Sequence, residues 1–417
     1  MSSPSPKTPA VSAGATDRVD VAIIGAGIIG LATAYQLLER RPDQRLAILE
    51  KERTIAAHQT GHNSGVLHAG LYYAPGSLKA ELCREGKASL EAFADEHGIP
   101  FERCGKLVVA LTDDELPRFE ALRERAVANG VEGLEVVGPE RMREIEPQAA
   151  GIRALWSPHT AIIDFRRVAA QLAALIEARG GTIHTGRAVT GIRTIGDDRV
   201  LSTTAGDVVA RNIVACAGLW ADQVARLTGN PGRERIVPFR GDYYTLTPDA
   251  RALVRGLIYP VPDPRFPFLG VHLTRRIDGE VWAGPNAVLA FARAGYRRRD
   301  VSLRDLADTL RHRGFLRLAG RYWRMGAIEM WRDVSKRAFH AELQRYVPEL
   351  RSNLLVFGPS GVRAQAVDPD GSLVDDFRLG GDRHVLHVRN APSPAATASL
   401  AIGARLADQA IEHFGLE

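Results

Sequence analysis

Six residues near the start of the chain, Gly25-Ala26-Gly27-Ile28-Ile29-Gly30, form a GxGxxG string, and an acidic residue, Glu50, follows twenty positions after the last glycine. Each part has chemistry to do for a dinucleotide. Gly25 permits a tight turn, Gly27 lets the backbone approach a pyrophosphate, and Gly30 lets a helix pack closely on a strand. The helix that starts here would offer free N–H groups and a positive dipole end to the phosphates. Glu50 can accept hydrogen bonds from an adenosine ribose, with Ile28, Ile29 and Lys51 among the expected contacts. The stretch that follows, AAHQTGHNSGVLHAGLYYAPGSLKA, chooses between cofactors. An NAD domain usually continues here with another regular α/β unit. Small residues such as Ser64 and Gly65 instead let backbone lie against a flat isoalloxazine ring, which points to FAD.

These residues need elements to hold them. Val19–Ile24 reads as a buried parallel strand running straight into the glycine turn. LATAYQLLERR is a helix stopped by Pro42, and a second strand, Arg45–Leu49, ends at Glu50. Asp164 caps the helical pattern FRRVAAQLAALIEA, which ends at Arg179-Gly180-Gly181. Strands follow at TIHTG, through Val200–Val209, and from Asn212 into the turn Ala217-Gly218-Leu219-Trp220. A strand at Leu354–Phe357, another at HVLHVRN and a terminal helix complete this set. Elsewhere, strands are predicted at Leu107–Leu111, Val237–Leu246 and Phe268–Thr274, and a helical stretch over 301–346. The spacing predicts an α/β fold. A Rossmann-like FAD-binding domain in three pieces (19–95, 150–235 and 351–417) is interrupted by an inserted α+β substrate domain (96–149 and 236–350), after a disordered tail, 1–18.

Composition narrows the function classes. A chain of 417 residues is too long for one compact core, and 45% apolar with 25% charged residues excludes fibrous and wholly disordered classes. The net charge is only +5, basic residues are scattered among acids, and aromatics make up 6%, all of which argue against nucleic acid as a partner. Of the 54 basic residues only six are Lys (7, 51, 79, 87, 106 and 336). The rest are Arg, either a compositional bias or a set of forks suited to carboxylates. Cys83, Cys104 and Cys216 are too widely spaced for a disulfide framework or a CxxC site, so a reducing, cytoplasmic location is expected and no metal. No apolar run reaches the roughly 18 residues of a membrane span. The first eighteen residues lack the apolar core of a signal peptide. A soluble protein, at most peripheral to a membrane, is expected.

The opening fingerprint, the Ala217–Trp220 turn and Gly361-Val362-Arg363 together resemble the D-amino-acid-oxidase-type flavoproteins. Within them, four blocks resemble the L-2-hydroxyglutarate oxidase/dehydrogenase family: HQTGHNSGVLHAGLYYAPGSLKAELC, PFLGVHLTRRIDGEVWAGPNAVLAF, GVRAQAVDPDGSLVDDF and LHVRNAPSPAATASLAIG. The resemblance covers nearly the whole chain after the tail. It implies noncovalent FAD, a substrate domain on a mixed sheet, and oxidation of L-2-hydroxyglutarate to 2-oxoglutarate by hydride transfer from the alpha carbon to flavin N5. It also implies cofactor contacts. Gly25, Gly27, Gly30 and Glu50 match the ADP site, and Thr60, His62, Asn63, Ser64 and Gly65 the pyrophosphate and flavin side. Val189 matches a backbone contact to adenine. Ala217, Gly218 and Trp220 match the glycine turn, and Gly361, Val362 and Arg363, with Pro392, Ser393, Ala395 and Thr397, match segments closing over flavin and ribityl. In the wider superfamily an Arg at the 363 position grips the substrate carboxylate.

Oxidising a 2-hydroxy acid needs a carboxylate clamp, a base for the hydroxyl proton, and a group that stabilises charge on the reduced flavin. Arg363 leads for the clamp of this small dicarboxylate, with Arg240 a candidate for the second carboxylate and Tyr72, Tyr73, Tyr243 and His62 as further lining. Among twelve histidines, His272 in FLGVHLT leads as base, followed by His68 and His62 of the flavin-side loop. His58 reads as structural, and His97, His159, His312 and His413 as solvated. Three readings compete: a related flavoprotein oxidising an amino acid, amine or glycerol phosphate; a flavin-bearing module without turnover; and, weakest, a nucleic-acid binder. Electrons pass to oxygen or to a membrane quinone chain. RAGYRRR (293–299) and Arg311–Arg337 read either as a face for anionic lipid or as a solvated or oligomer-contacting one, so contact with the inner face of a membrane and oligomerisation stay open.

Overall fold

A computed structural model describes residues 17–263 and 269–416. The expected tail lies outside them except for Asp17 and Arg18, which already belong to the first strand, Asp17–Ile24, and pair with Val208 and Val209 of its neighbour. Val21, Ala22 and Ile23 in this strand expose no surface, as a strand covered on both faces requires. It lies in the interior of an eight-stranded sheet. Five strands run parallel in the spatial order Thr182–His184, Leu46–Leu49, Asp17–Ile24, Val208–Ala215 and Val385–Asn390. The pair Val189–Ile195 and Asp198–Thr203, and the strand Arg378–Gly381, add antiparallel partners.

Helices Ile28–Arg40, Phe165–Ala178 and Ser399–Phe414 pack with this sheet, where Leu31, Leu37, Leu172 and Leu406 join Val21 and Ile23 in the main core. The terminal helix crosses the first so closely that a Cβ at Gly403 would lie 2.6 Å from the Ala32 backbone. Asp164 caps its helix as predicted, accepting the Arg166 N–H at 2.8 Å.

The second sheet has nine strands. Arg235–Leu246 pairs antiparallel with Leu355–Val367, and the sheet continues through Val281–Gly284, His272–Arg275, Leu257–Pro260, Lys106–Ala110, Arg153–Ser157 and Glu135–Val137. Leu257–Pro260 runs parallel to Lys106–Ala110 while its other neighbour is antiparallel, so the sheet is mixed. A third, small sheet holds Val66–Leu67, Ala161–Ile163 and Phe101–Glu102.

Several expectations shift. The predicted strand at Leu354–Phe357 does not stop at Gly358; it runs on through Gly361-Val362-Arg363 to Val367, because Arg235–Leu246 offers a partner along its length. That strand and Arg153–Ser157, both expected with the FAD-binding pieces, are members of the second sheet. Of the predicted strand Phe268–Thr274, Phe268 lies outside the described residues and the strand itself is His272–Arg275. The helical stretch 301–346 divides into Leu303–Arg311, Arg313–Val334 and Lys336–Gln344. Among the described residues no helix is long and apolar enough to cross a membrane.

Candidate active site

The glycine turn separates into two closed positions and one open one. Gly25 holds φ at 106°, and a Cβ on it would lie 2.5 Å from the Cys216 carbonyl oxygen. A side chain at Gly30 would overlap the Gly25 carbonyl. Gly27 differs, because a Cβ there would meet only Thr60 Oγ1, at 3.6 Å. It caps the helix Ile28–Arg40 without a side chain, so the dipole of that helix and the first-turn N–H groups beyond Ile28 stay open to an anion. Thr60 steadies the start by accepting the Ile28 N–H at 3.0 Å, with Ile29 next in the first turn. Glu50 is buried, and its carboxylate accepts the N–H groups of Ala26 at 2.8 Å and Glu52 at 2.9 Å. Each oxygen keeps acceptor capacity for a ribose. The Arg187 N–H donates to the Glu50 carbonyl at 2.7 Å, which brings Val189, two residues on, to the same end of the sheet. An open turn, a bare helix start and a carboxylate at the strand end fit the ADP half of FAD.

The flavin-side loop is held by its own amides. Asn63 accepts the Gly65 N–H at 2.9 Å and donates to the carbonyls of Gln59 and Thr60, with Ser64 between them. The strand carrying Gly361 and Val362 passes directly over it: a Cβ at Gly361 would lie 2.7 Å from the His62 carbonyl. His62 Nδ1 donates to the Ser360 carbonyl at 3.2 Å. Across the turn Ala217-Gly218, Trp220 lies under Lys51, whose ammonium is 3.8 Å from the ring centroid and paired with Glu52. His58 bridges Glu52 at 2.8 Å and the Tyr296 hydroxyl at 3.2 Å, which supports a structural part for it. Burial lowers the pKa of both His58 and His62. Thr397 accepts the His68 N–H at 3.1 Å and so ties the loop Pro392–Thr397 to this side, with Ala395 partly buried and Ser393 exposed at the rim.

A buried polar cluster lies around Tyr259. His272, 6% exposed, stacks on Tyr259, and its Nδ1 lies 2.9 Å from the Gly270 carbonyl. A carbonyl can only accept, so Nδ1 carries the proton and Nε2 keeps a lone pair. Burial, joined by the charges of Arg363 and Lys106, lowers the imidazole to about 3, so His272 is neutral at physiological pH. His68 is lowered well below the ordinary value by burial and by Lys106 and His272, and its Nδ1 has no hydrogen-bond partner among the described residues. Arg363 and His68 retain some accessible surface while lying deep enough for burial to lower both, as expected of a pocket wall. Tyr243 packs on Trp282, ring centroids 5.0 Å apart, and Arg363 acts electrostatically on Tyr243, Tyr259 and His272. Tyr73 lies further back, packed with Ala80 and Cys83.

Two residues of this cluster were not singled out from the sequence. Lys106 exposes no surface, and its ammonium sits 4.6 Å from the Tyr259 ring centroid and 5.0 Å from that of Tyr72. Tyr259 links it to His272. A signal was present: a Lys inside the apolar run GKLVVAL of a chain that otherwise uses Arg.

Arg240 does not join the cluster. Its guanidinium is buried against Asp242, at 2.9 Å, and Asp333, at 3.2 Å, where it neutralises an acidic pair instead of awaiting a substrate. Burial and a hydrogen bond to Asp242 raise Asp333, whereas hydrogen bonds from Asp333 and Ser360 with the Arg240 charge outweigh burial and lower Asp242. The RAGYRRR stretch is corrected in part, because Arg293 is 2% exposed and paired with Asp222 at 2.7 Å. His312 and His97 are not solvated either: His312 contacts the Val367 carbonyl at 3.1 Å and His97 packs edge-on against Phe93. A cleft of about 620 Å³, lined by His62, Tyr296, Arg298 and Ser360 among others, opens on the outer side of the 62–65 loop.

Residues 20–409 match the model of a family described as FAD dependent oxidoreductase. The chain is 47% identical over 420 residues to a mitochondrial L-2-hydroxyglutarate dehydrogenase of Nematostella vectensis, covering 96% of this chain and 92% of that protein. It is 45% identical to the human mitochondrial L-2-hydroxyglutarate dehydrogenase, covering 96% and 90%, and 46% identical to one from Escherichia coli, covering 93% and 92%. Among solved structures, dithionite-reduced L-alpha-glycerophosphate oxidase from Mycoplasma pneumoniae with FAD bound aligns at a TM-score of 0.77 and 22% identity, covering 95% of each chain. Glycine oxidase from Geobacillus kaustophilus aligns at 0.70 and 22% identity, covering 94% of this chain and 95% of that one. These two similarities concern the fold.

Proposed function

The chain belongs to the FAD dependent oxidoreductase family, among its L-2-hydroxyglutarate dehydrogenases, and we propose that it oxidises L-2-hydroxyglutarate to 2-oxoglutarate. The observation that carries this reading is a deep guanidinium, Arg363, whose charge acts on a buried neutral imidazole, His272. FAD, held without a covalent bond by the glycine turn, Glu50, Thr60 and the 62–65 loop, supplies a two-electron acceptor.

Arg363 receives the carboxylate beside the hydroxyl and so fixes the reacting carbon, a positioning effect worth several kcal/mol. His272 Nε2 takes the hydroxyl proton as the Cα hydrogen leaves with its bonding pair, and the C–O single bond becomes a carbonyl. In the free protein Arg363 and Lys106 disfavour an imidazolium at His272. An anionic substrate offsets both cations, so the imidazole gains proton affinity when substrate is present. His68 is the second candidate for this proton. Anaerobic bleaching of the yellow enzyme by L-2-hydroxyglutarate tests the reading. A flavin that stays oxidised with this acid and bleaches with an amino acid, amine or glycerol phosphate would overturn it.

Electron disposal has support from one surface. The helix Arg313–Val334 leaves Trp323, Ile328, Met330, Trp331 and Val334 exposed beside exposed Arg317, Arg321 and Arg324. Apolar and aromatic side chains next to cations suit the interface of an anionic bilayer. This favours a cytoplasmic enzyme docked on the inner face of the membrane and passing electrons to a quinone instead of oxygen. Cosedimentation with anionic vesicles, reversed by salt and lost in W323S/W331S, is the expected result; a wholly unbound protein would count against it.

A further inference from the structure

The buried guanidiniums of Arg240 and Arg293 have acidic partners, Asp242 and Asp333 for the first and Asp222 for the second. Lys106 has none. Its ammonium is fully buried, makes no hydrogen bond among the described residues, and meets the faces of Tyr72 and Tyr259. The neighbouring Tyr72 hydroxyl and His68 Nδ1 are buried and unpartnered too. Leaving a buried cation without an anion is costly, and this cation with two further unpartnered polar atoms in one cluster marks a place prepared for a ligand rather than for the fold alone. The Tyr259 ring that meets Lys106 at 4.6 Å also stacks on His272 at 3.9 Å, and the charges of both Lys106 and Arg363 act on that imidazole, so the two cations address one centre.

We propose that Lys106 binds the distal carboxylate of a dicarboxylate substrate while Arg363 holds the carboxylate next to the reacting hydroxyl, so that Lys106 sets the preference for diacids. The proposal rests on the reading of the site given above and replaces Arg240 in that part. A monocarboxylate of the same length would leave the ammonium unpaired and would be rejected for that reason. A lysine suits the place because a compact ammonium on a flexible four-carbon stem can swing from the tyrosine rings to an anion without backbone movement.

The test uses the FAD-loaded enzyme and Lys106→Met, an apolar replacement of similar length. Binding of glutarate and of valerate, neither of which can be oxidised at a hydroxyl, is followed by perturbation of the flavin spectrum. Reduction by L-2-hydroxyglutarate and by L-2-hydroxyvalerate is followed anaerobically. Lys106→Met should weaken glutarate on the order of 100-fold and valerate far less, with the same split in the reduction rates. Thermal stability and FAD content should not fall, whereas a structural lysine would lower them. Equal loss for diacid and monoacid, or unchanged glutarate binding, would overturn the proposal. Should the variant fail to fold, the unmodified enzyme decides: binding valerate as tightly as glutarate excludes a distal cation. Failure of the oxidation reading looks different, since glutarate would still be preferred while L-2-hydroxyglutarate left the flavin oxidised.

Discussion

His272 and Tyr259 lie face to face, ring centroids 3.9 Å apart and planes inclined by 28°, and the Gly270 carbonyl holds the imidazole Nδ1 proton at 2.9 Å. The stack fixes the ring and the carbonyl fixes the tautomer, so a single nitrogen, Nε2, is left for chemistry. Replacing His272 with Asn keeps a polar group and removes the base. We expect the reduction rate with L-2-hydroxyglutarate to fall roughly 10²- to 10⁴-fold, the usual contribution of a positioned base, with FAD content unchanged. Stopped-flow flavin absorbance measures it, and a fall of less than 10-fold would pass the role to His68.

The pH dependence separates diacids from monoacids. Burial lowers the Lys106 ammonium from 10.5 to about 8, so it is charged below that pH and neutral above it. kcat/KM for L-2-hydroxyglutarate should therefore drop as pH rises through about 8 and stay level for L-2-hydroxyvalerate. The surrounding groups do not titrate there: the thiols of Cys83 and Cys104 are pushed up to about 12, Tyr72 and Tyr259 are raised, and His68 and His272 are lowered. A pH profile shared by both substrates would contradict this.

The same shift has a sign for stability. Lys106 titrates lower in the folded than in the unfolded chain, so its charge opposes folding below about pH 8, and the opposition fades as pH rises toward 10.5. Without substrate, Lys106→Met should raise stability at neutral pH by about 3 kcal/mol, an order-of-magnitude figure from the size of the shift. The gain should shrink near pH 10. Chemical denaturation of the FAD-loaded protein at both pH values checks it.

Arg240 should behave in the opposite way. Arg240→Met leaves Asp242 and Asp333 buried with only the partly exposed Arg298 as a cation, and loss of one partner of a buried pair costs about 3–5 kcal/mol. Thermal stability should fall sharply, while the glutarate-to-valerate preference of the surviving folded protein stays near that of the parent. A selective loss of glutarate binding would return Arg240 to the substrate site.

Two glycines of one motif should fail differently when changed to alanine. Gly27→Ala places a methyl where only Thr60 Oγ1 is near, at 3.6 Å, so the protein should fold yet bind FAD at least 10-fold more weakly. Gly30→Ala drives a methyl into the Gly25 carbonyl and should impair folding itself. Circular dichroism with FAD titration distinguishes them. Full FAD affinity in Gly27→Ala would show that the pyrophosphate lies elsewhere.

What could be read from the chain was local. The strand–turn–helix around Gly25–Gly30, the acid at Glu50, the Asp164 cap and the Gly180 stop all depend on residues a few positions apart, where backbone conformation and capping decide the outcome. His272 and Arg363 could be named from the blocks that contain them. Their states could not, because a pKa follows from what surrounds a group, and the neighbours of His272 come from positions 106, 259 and 363 on three other strands. Arg240 and Lys106 make the contrast sharpest. Both are cations in apolar stretches of strand. Arg240 has Asp242 two residues along its own strand and receives Asp333 from the helix Arg313–Val334, whereas Lys106 is folded against Tyr72 and Tyr259 and, among the described residues, has no anion of its own. Desolvation and pairing are properties of that three-dimensional neighbourhood, so the tertiary structure decided which cation is paired within the fold and which is buried without an anion.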